Sequence, residues 1–168
     1  MLRRIDELGR IVIPKEIRKK MKIREGDNLD IFISNDEVIL KKYSPLDDFS
    51  NLIDILILGF NKYENIVVVI TDKEKVISST HPDIKPDELL SDIFFNFLDK
   101  NEESNINKST KLNITPAYKI ESNFYLKPIS VYGDLFGGVL IFYEKELSKN
   151  LINFISIIHH FCVTYLQI

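Results

Sequence analysis

The chain has 168 residues, of which 45% are hydrophobic and 28% charged; that is apolar content for one ordinary domain or two small ones, and it excludes a chain disordered throughout. The net charge of -3 conceals two unlike halves: residues 1–43 hold 11 Lys and Arg against 8 Asp and Glu, and the remainder holds 11 against 17. Within residues 1–24, nine basic side chains stand against three acidic ones, so an acidic protein carries a concentrated basic patch at one end.

Leu2–Ile5 and Arg10–Ile13 read as short strands joined through residues 6–9, where Gly9 can take the positive φ of a turn. Pro14 opens a short amphipathic helix, since its missing N–H costs nothing in a first turn and Ile13, Ile17 and Met21 recur every four residues. Glu25-Gly26-Asp27 ends that helix. Leu29, Ile31 and Ile33 then alternate with Asp30, Phe32 and Ser34, and past an Asn35-Asp36 turn Val38–Lys42 completes a hairpin. About 40 residues with few aliphatic side chains and no disulfide cannot bury a self-sufficient core. A dimer that exchanges strands across a two-fold axis is the expected remedy.

Ser44-Pro45 reads as the cap and first position of a linking helix over residues 44–64, with Leu46, Phe49, Ile53, Leu56, Phe60 and Tyr63 on one face. Ile66–Thr71 is a β-branched run suited to a central strand; residues 72–75 form a turn, and Val76–Thr80 pairs back. Pro82 and Pro86 punctuate a loop. The spacing of Leu90, Ile93, Phe94, Phe97 and Leu98 predicts a helix over 88–100, and the polar stretch 101–110 reads as a surface loop. Strands follow in part of 112–120, over 124–131 and over 135–144, where Gly137-Gly138 marks a bulge or a close approach. A closing helix over 147–167 is apolar on most of its circumference, which predicts burial or an oligomer seam. The fold class is therefore α+β, with helices at both ends of residues 65–168 around an antiparallel sheet.

The final run, 151–168, carries Asn153, Ser156, His159, His160, Thr164 and Gln167, too many polar groups for a membrane span. Cys162 is the lone cysteine, and no apolar stretch backs the two N-terminal arginines as a secretory leader requires, so a cytoplasmic location is expected.

Arg3, Arg4, Arg10, Arg18 and Lys19 lie where turn and helix can present cations together. An arginine fork grips a phosphate or a guanine edge in two places, whereas lysine acts as a point charge. Asp6, Glu7 and Glu16 stand beside them without a nucleophile or metal set, and read as turn and charge-orienting residues. His159 and Cys162 share a helix face, but two ligands fall short of a metal site and packing is the better reading. His81 before Pro82 is a loop residue. With neither a phosphate-binding glycine loop nor a dinucleotide fingerprint, no enzyme and no cofactor are expected.

The run Arg3-Arg4-Ile5-Asp6-Glu7-Leu8-Gly9-Arg10-Ile11-Val12-Ile13-Pro14-Lys15-Glu16-Ile17-Arg18-Lys19, continued through Ile23–Asp27 to Glu37–Tyr43, closely resembles the AbrB-type swapped-hairpin family of transcription regulators. In a two-domain form found in spore-forming bacteria, the hairpin is followed by a GAF-like domain, and the second half fits that layout. The resemblance implies three parts: a DNA-binding and dimerisation domain over 1–43, a linking helix over 44–64 that begins the GAF-like domain, and a regulatory and oligomerisation domain over 65–168. It also implies a sequence-selective regulator of sporulation genes, with double-stranded DNA and its own copies (a dimer of dimers, hence a homotetramer) as partners. The family's contact positions fall on Arg3, Arg4, Arg10, Arg18 and Lys19, with Lys19 standing where arginine is common. Only two residues precede Arg3, which implies either a start set too late or a short first strand. GAF-like domains often hold a small ligand between sheet and helix; Phe94, Phe97, Tyr118 and Tyr125 are the candidate wall for an unidentified one, although a plain hydrophobic core is the favoured reading of those four. An antitoxin built on the same hairpin is the alternative function.

Overall fold

A computed structural model of the chain describes residues 2–21, 23, 25, 27–61, 66–144 and 146–167. Gly26, Tyr63 and the side chain of Phe60, named above, lie outside what is described, as do Lys22 and Arg24 of the basic patch. The chain divides into two compact units, Met1–Tyr43 and Ser44–Ile168.

In the first unit, residues 6–9 turn with Gly9 at φ 77°. The Gly9 N–H donates to the Asp6 carbonyl at 2.9 Å and the Asp6 N–H to the Arg10 carbonyl at 3.0 Å. The two flanking arms, expected as strands, form no strand ladder. A ladder needs a neighbour in register along its length, and among the described residues the backbone bonds between the arms lie at the turn. Helix α1 spans Lys15–Lys20, with Pro14 as its N-cap rather than its first residue; the Pro14 carbonyl takes the Arg18 N–H at 2.9 Å. Glu16 in the first turn and Arg18, Lys19 and Lys20 in the last each match the sign of the helix dipole at their end. Strands β1 (Leu29–Ser34) and β2 (Glu37–Lys42) pair antiparallel from Leu29 opposite Lys42 to Ser34 opposite Glu37. Asn35 and Asp36 both sit at positive φ, 47° and 63°, as a two-residue hairpin turn of matching twist demands.

The second unit begins with a single 3-10 turn, Asp47–Phe49, before helix α2 (Ser50–Asn61). The helix therefore starts later than Ser44-Pro45 suggests: the Ser44 carbonyl takes the Asp47 N–H at 3.0 Å, and the Ser50 hydroxyl donates to the Asp47 carbonyl at 2.9 Å. A five-stranded antiparallel sheet follows in the order β4-β3-β7-β6-β5, formed by β3 (Val67–Asp72), β4 (Val76–Ser79), β5 (Ser104–Asn113), β6 (Lys119–Val131) and β7 (Asp134–Tyr143). Because strand side chains alternate, the sheet sorts its apolar residues onto two faces. Val68, Ile70, Ile129 and Ile141 pack with α2 and with helix α4 (Lys149–Tyr165), through Ile53, Ile57, Ile155 and Ile158. Val69, Leu126, Leu140 and Phe142 pack with helix α3 (Asp92–Leu98) through Phe94 and Leu98. This is the expected GAF-like arrangement in the α+β class.

Two further elements depart from the sequence expectation. Helix α3 starts at Asp92, with the Ser91 hydroxyl accepting the Phe94 N–H at 3.0 Å; Leu89 is held back by a strand-like bridge to Lys75. Residues 104–110, read as a loop, belong to the edge strand β5 (Ser104–Asn113), which pairs with β6 on both sides of an irregularity between Ile106 and Thr110. Gly137-Gly138 behaves as expected. A Cβ on Gly137 would lie 1.9 Å from the Thr71 carbonyl oxygen, one on Gly138 would lie 2.8 Å from Leu98 Cδ1, and the register shifts beside them between Ile129 and Ser130.

Candidate nucleic-acid interface

Asp6 organises the turn that carries Arg10. Its Oδ1 accepts the backbone N–H of Leu8 at 3.0 Å and of Arg10 at 2.8 Å, and its Oδ2 accepts the Arg10 Nε–H at 2.8 Å. The Arg10 backbone N–H, then its guanidinium, hold the Asp6 carboxyl below its ordinary pKa of 3.8. Both side chains face solvent, at 71% relative exposure for Arg10 and 43% for Asp6.

Of the remaining candidate cations, Arg3 and Arg4 stand on the arm before this turn, and Arg18 and Lys19 are adjacent in the last turn of α1; all four are exposed. The structure thus brings Arg10 against Asp6 and sets the other four on the two flanking elements. The same unit carries exposed apolar side chains: Leu2, Val12 and Ile33 are 98%, 75% and 82% exposed. Among the described residues of the first unit, only Pro14 is buried.

The four candidate wall residues of the second unit do not line one cavity. Phe94 is fully buried in the cluster under α3; Phe97 meets Phe124 edge-on at 5.7 Å in the same cluster, and Tyr118 packs against it. Tyr125 lies on the opposite face, in the cluster under α2 and α4. Alternation along β6 explains the correction, since Phe124 and Leu126 point one way and Tyr125 the other. Burial, with Glu103 accepting its hydroxyl, pushes the Tyr125 pKa up. A groove of about 750 Å³ runs instead along α4, lined by Lys127, Ser156, Ile157, His159, His160, Phe161 and Thr164. There the His159 Nε2–H donates to the Pro128 carbonyl at 2.8 Å, and burial lowers the His159 pKa. Cys162 is buried, its thiol pushed up to about 12.

One pairing escapes sequence reading altogether. His81 Nδ1 accepts the Asp83 N–H at 3.2 Å, which leaves the proton on Nε2 to bond Tyr118 Oη at 2.8 Å. The two residues lie 37 positions apart, and no local pattern announces their contact.

A family model described as "Antidote-toxin recognition MazE, bacterial antitoxin" matches residues 2–48. Stage V sporulation protein T of Bacillus subtilis is 34% identical over 150 residues, which cover 87% of this chain and 84% of that protein. The transition state regulatory protein AbrB of the same organism is 49% identical over 45 residues, 27% of this chain and 47% of that protein. Among solved structures, a type II free methionine-R-sulfoxide reductase from Thermoplasma acidophilum shares the fold, with a TM-score of 0.51 at 14% identity over 73% of this chain and 95% of that one. At that identity the likeness concerns the fold and carries no activity across. The match to the sporulation protein spans both units, and the chain belongs to the AbrB-type transcription regulators, in the two-domain form that stage V sporulation protein T represents.

Proposed function

We propose that the chain is a sequence-selective DNA-binding regulator of sporulation genes, active in the cytoplasm of a spore-forming bacterium as a strand-exchanged dimer. One observation carries the reading: in the first unit, exposed cations and exposed apolar side chains occupy the same 43 residues. Apolar faces of that kind call for a second copy, and a second copy doubles the cationic surface across a two-fold axis. Arg3, Arg4, Arg10, Arg18 and Lys19 are the contact residues. Affinity comes largely from counterion release, and selectivity comes in part from the arginine forks and in part from DNA shape.

The second unit is acidic and assembles dimers into a tetramer through its terminal helices. The exposed Leu52, Ile55 and Leu58 on α2 and Ile157 on α4 support that role. An unidentified small molecule is its expected effector, and no catalytic role is proposed. The described residues include no helix long and apolar enough to cross a membrane.

The test is a salt titration of binding to a duplex selected by the chain from a random pool. Arg18→Ala should reduce the slope of log affinity against log salt by about one unit; an unchanged slope would remove Arg18 from the contact set. The antitoxin reading draws support from the description of the family model over residues 2–48. It predicts a C-terminal segment that is unfolded without its toxin. A dispersed amide spectrum of residues 44–168 in the chain alone would count against it.

A further inference from the structure

Asp6 and Arg10 form a solvent-exposed ion pair, and pairs of that kind contribute little to stability. The turn does not need the pair either, because the two backbone N–H groups are satisfied by Oδ1 alone, and Oδ2 is given over to the guanidinium. Nε is the guanidinium nitrogen nearest the stem. Anchoring it fixes the plane of the fork, while among the described residues the two terminal nitrogens have no partner. Arginine side chains otherwise lose substantial rotamer freedom on binding, and a fork oriented in advance loses less.

We infer that Asp6 is a positioning residue for DNA recognition: its Oδ2 holds the Arg10 fork in the orientation that reads a base edge or a phosphate end-on. The inference rests on the DNA-binding reading above and adds a specificity device to it. A carboxylate close to the duplex also repels phosphates, so Asp6 exchanges some non-specific affinity for discrimination. Asp6→Asn separates these effects. The amide oxygen still accepts the two backbone N–H groups, so the turn survives, while the amide nitrogen cannot accept from Nε and the negative charge is gone.

The experiment measures, for the wild-type chain, Asp6→Asn and Arg10→Ala, affinity for a duplex that the wild-type chain selects from a random pool and for a scrambled duplex of the same composition. Arg10→Ala is expected to lose roughly 5- to 150-fold in the ratio of the two affinities, the range of one bidentate base contact. Asp6→Asn is expected to lose roughly tenfold in that ratio while its affinity for the scrambled duplex holds or rises, a combination that a damaged fold would not produce. An unchanged ratio for Asp6→Asn, in a wild-type chain that does discriminate, overturns the positioning role and leaves the DNA-binding reading intact. A wild-type chain with no salt-dependent affinity for either duplex overturns the reading itself. A second measurement does not depend on the variant folding. The Arg10 Nε–H resonance of the free wild-type chain should be shifted and slow to exchange with water, and a resonance like that of an unpaired surface arginine would overturn the inference.

Discussion

The two units solve the problem of burial in opposite ways. In Ser44–Ile168 each face of the sheet has its own helices, and large side chains such as Phe94, Ile70 and Leu140 are fully buried within the one chain. In Met1–Tyr43 the strand pattern is equally regular, yet Ile31, Ile33 and Val38 remain 67%, 82% and 69% exposed. Regular secondary structure is therefore no sign of independence. The second unit buries its core within one chain, whereas the first, on the reading proposed above, is completed by another copy.

The largest effect should come from spoiling that completion. Val12→Asp places a charge where the proposed exchanged dimer is expected to bury a side chain, once in each copy; about 1.5–3 kcal/mol per side chain implies a dimer dissociation constant raised at least about 100-fold. Sedimentation equilibrium over a range of concentrations reads this directly, and an unchanged constant would mean that the arms meet no partner. In the second unit the cost should fall on a core contained within one chain. Phe94→Ala is expected to lower its unfolding free energy by about 3–5 kcal/mol in denaturant titrations. Gly137→Ala drives a methyl group against the Thr71 carbonyl and should cost about 3 kcal/mol by the same assay.

A smaller effect comes from His159. Burial lowers its pKa below the ordinary 6.5, so the folded state favours the neutral ring. That contribution is complete above pH 6.5 and is lost as pH falls from there through the folded-state value. The thermal midpoint of the second unit should therefore drop between about pH 7.5 and pH 5.5. His159→Gln should make the drop shallower, and an identical drop in the variant would assign the effect to other groups.

What was legible in the sequence follows the same division. The hairpin over 29–42 could be read because Asn35-Asp36 joins two alternating arms, a local signal. The cations were readable as residue types, and Gly137-Gly138 as a tight place. What escaped depended on distant partners. Strand β5 lacks an apolar alternation because it lies at an edge, so only its pairing with β6 defines it. Tyr125 reads with Phe94 because both are aromatic, whereas the parity of β6 turns Tyr125 away from the face that Phe94 of α3 packs against. The contact of Asp6 Oδ2 with Arg10 is a property of the folded turn, and spacing alone did not specify it.

The central claim, that the first unit acts on DNA only as a pair, is tested most directly by one titration. The full chain is added to its selected duplex at salt concentrations from about 50 to 200 mM, with the mass of the complex read at each step. Two chains or a multiple of two per site, with log affinity falling linearly with log salt at a slope of about 0.9 per phosphate neutralised, is the predicted result. A single chain per duplex, or an affinity indifferent to salt, would contradict it.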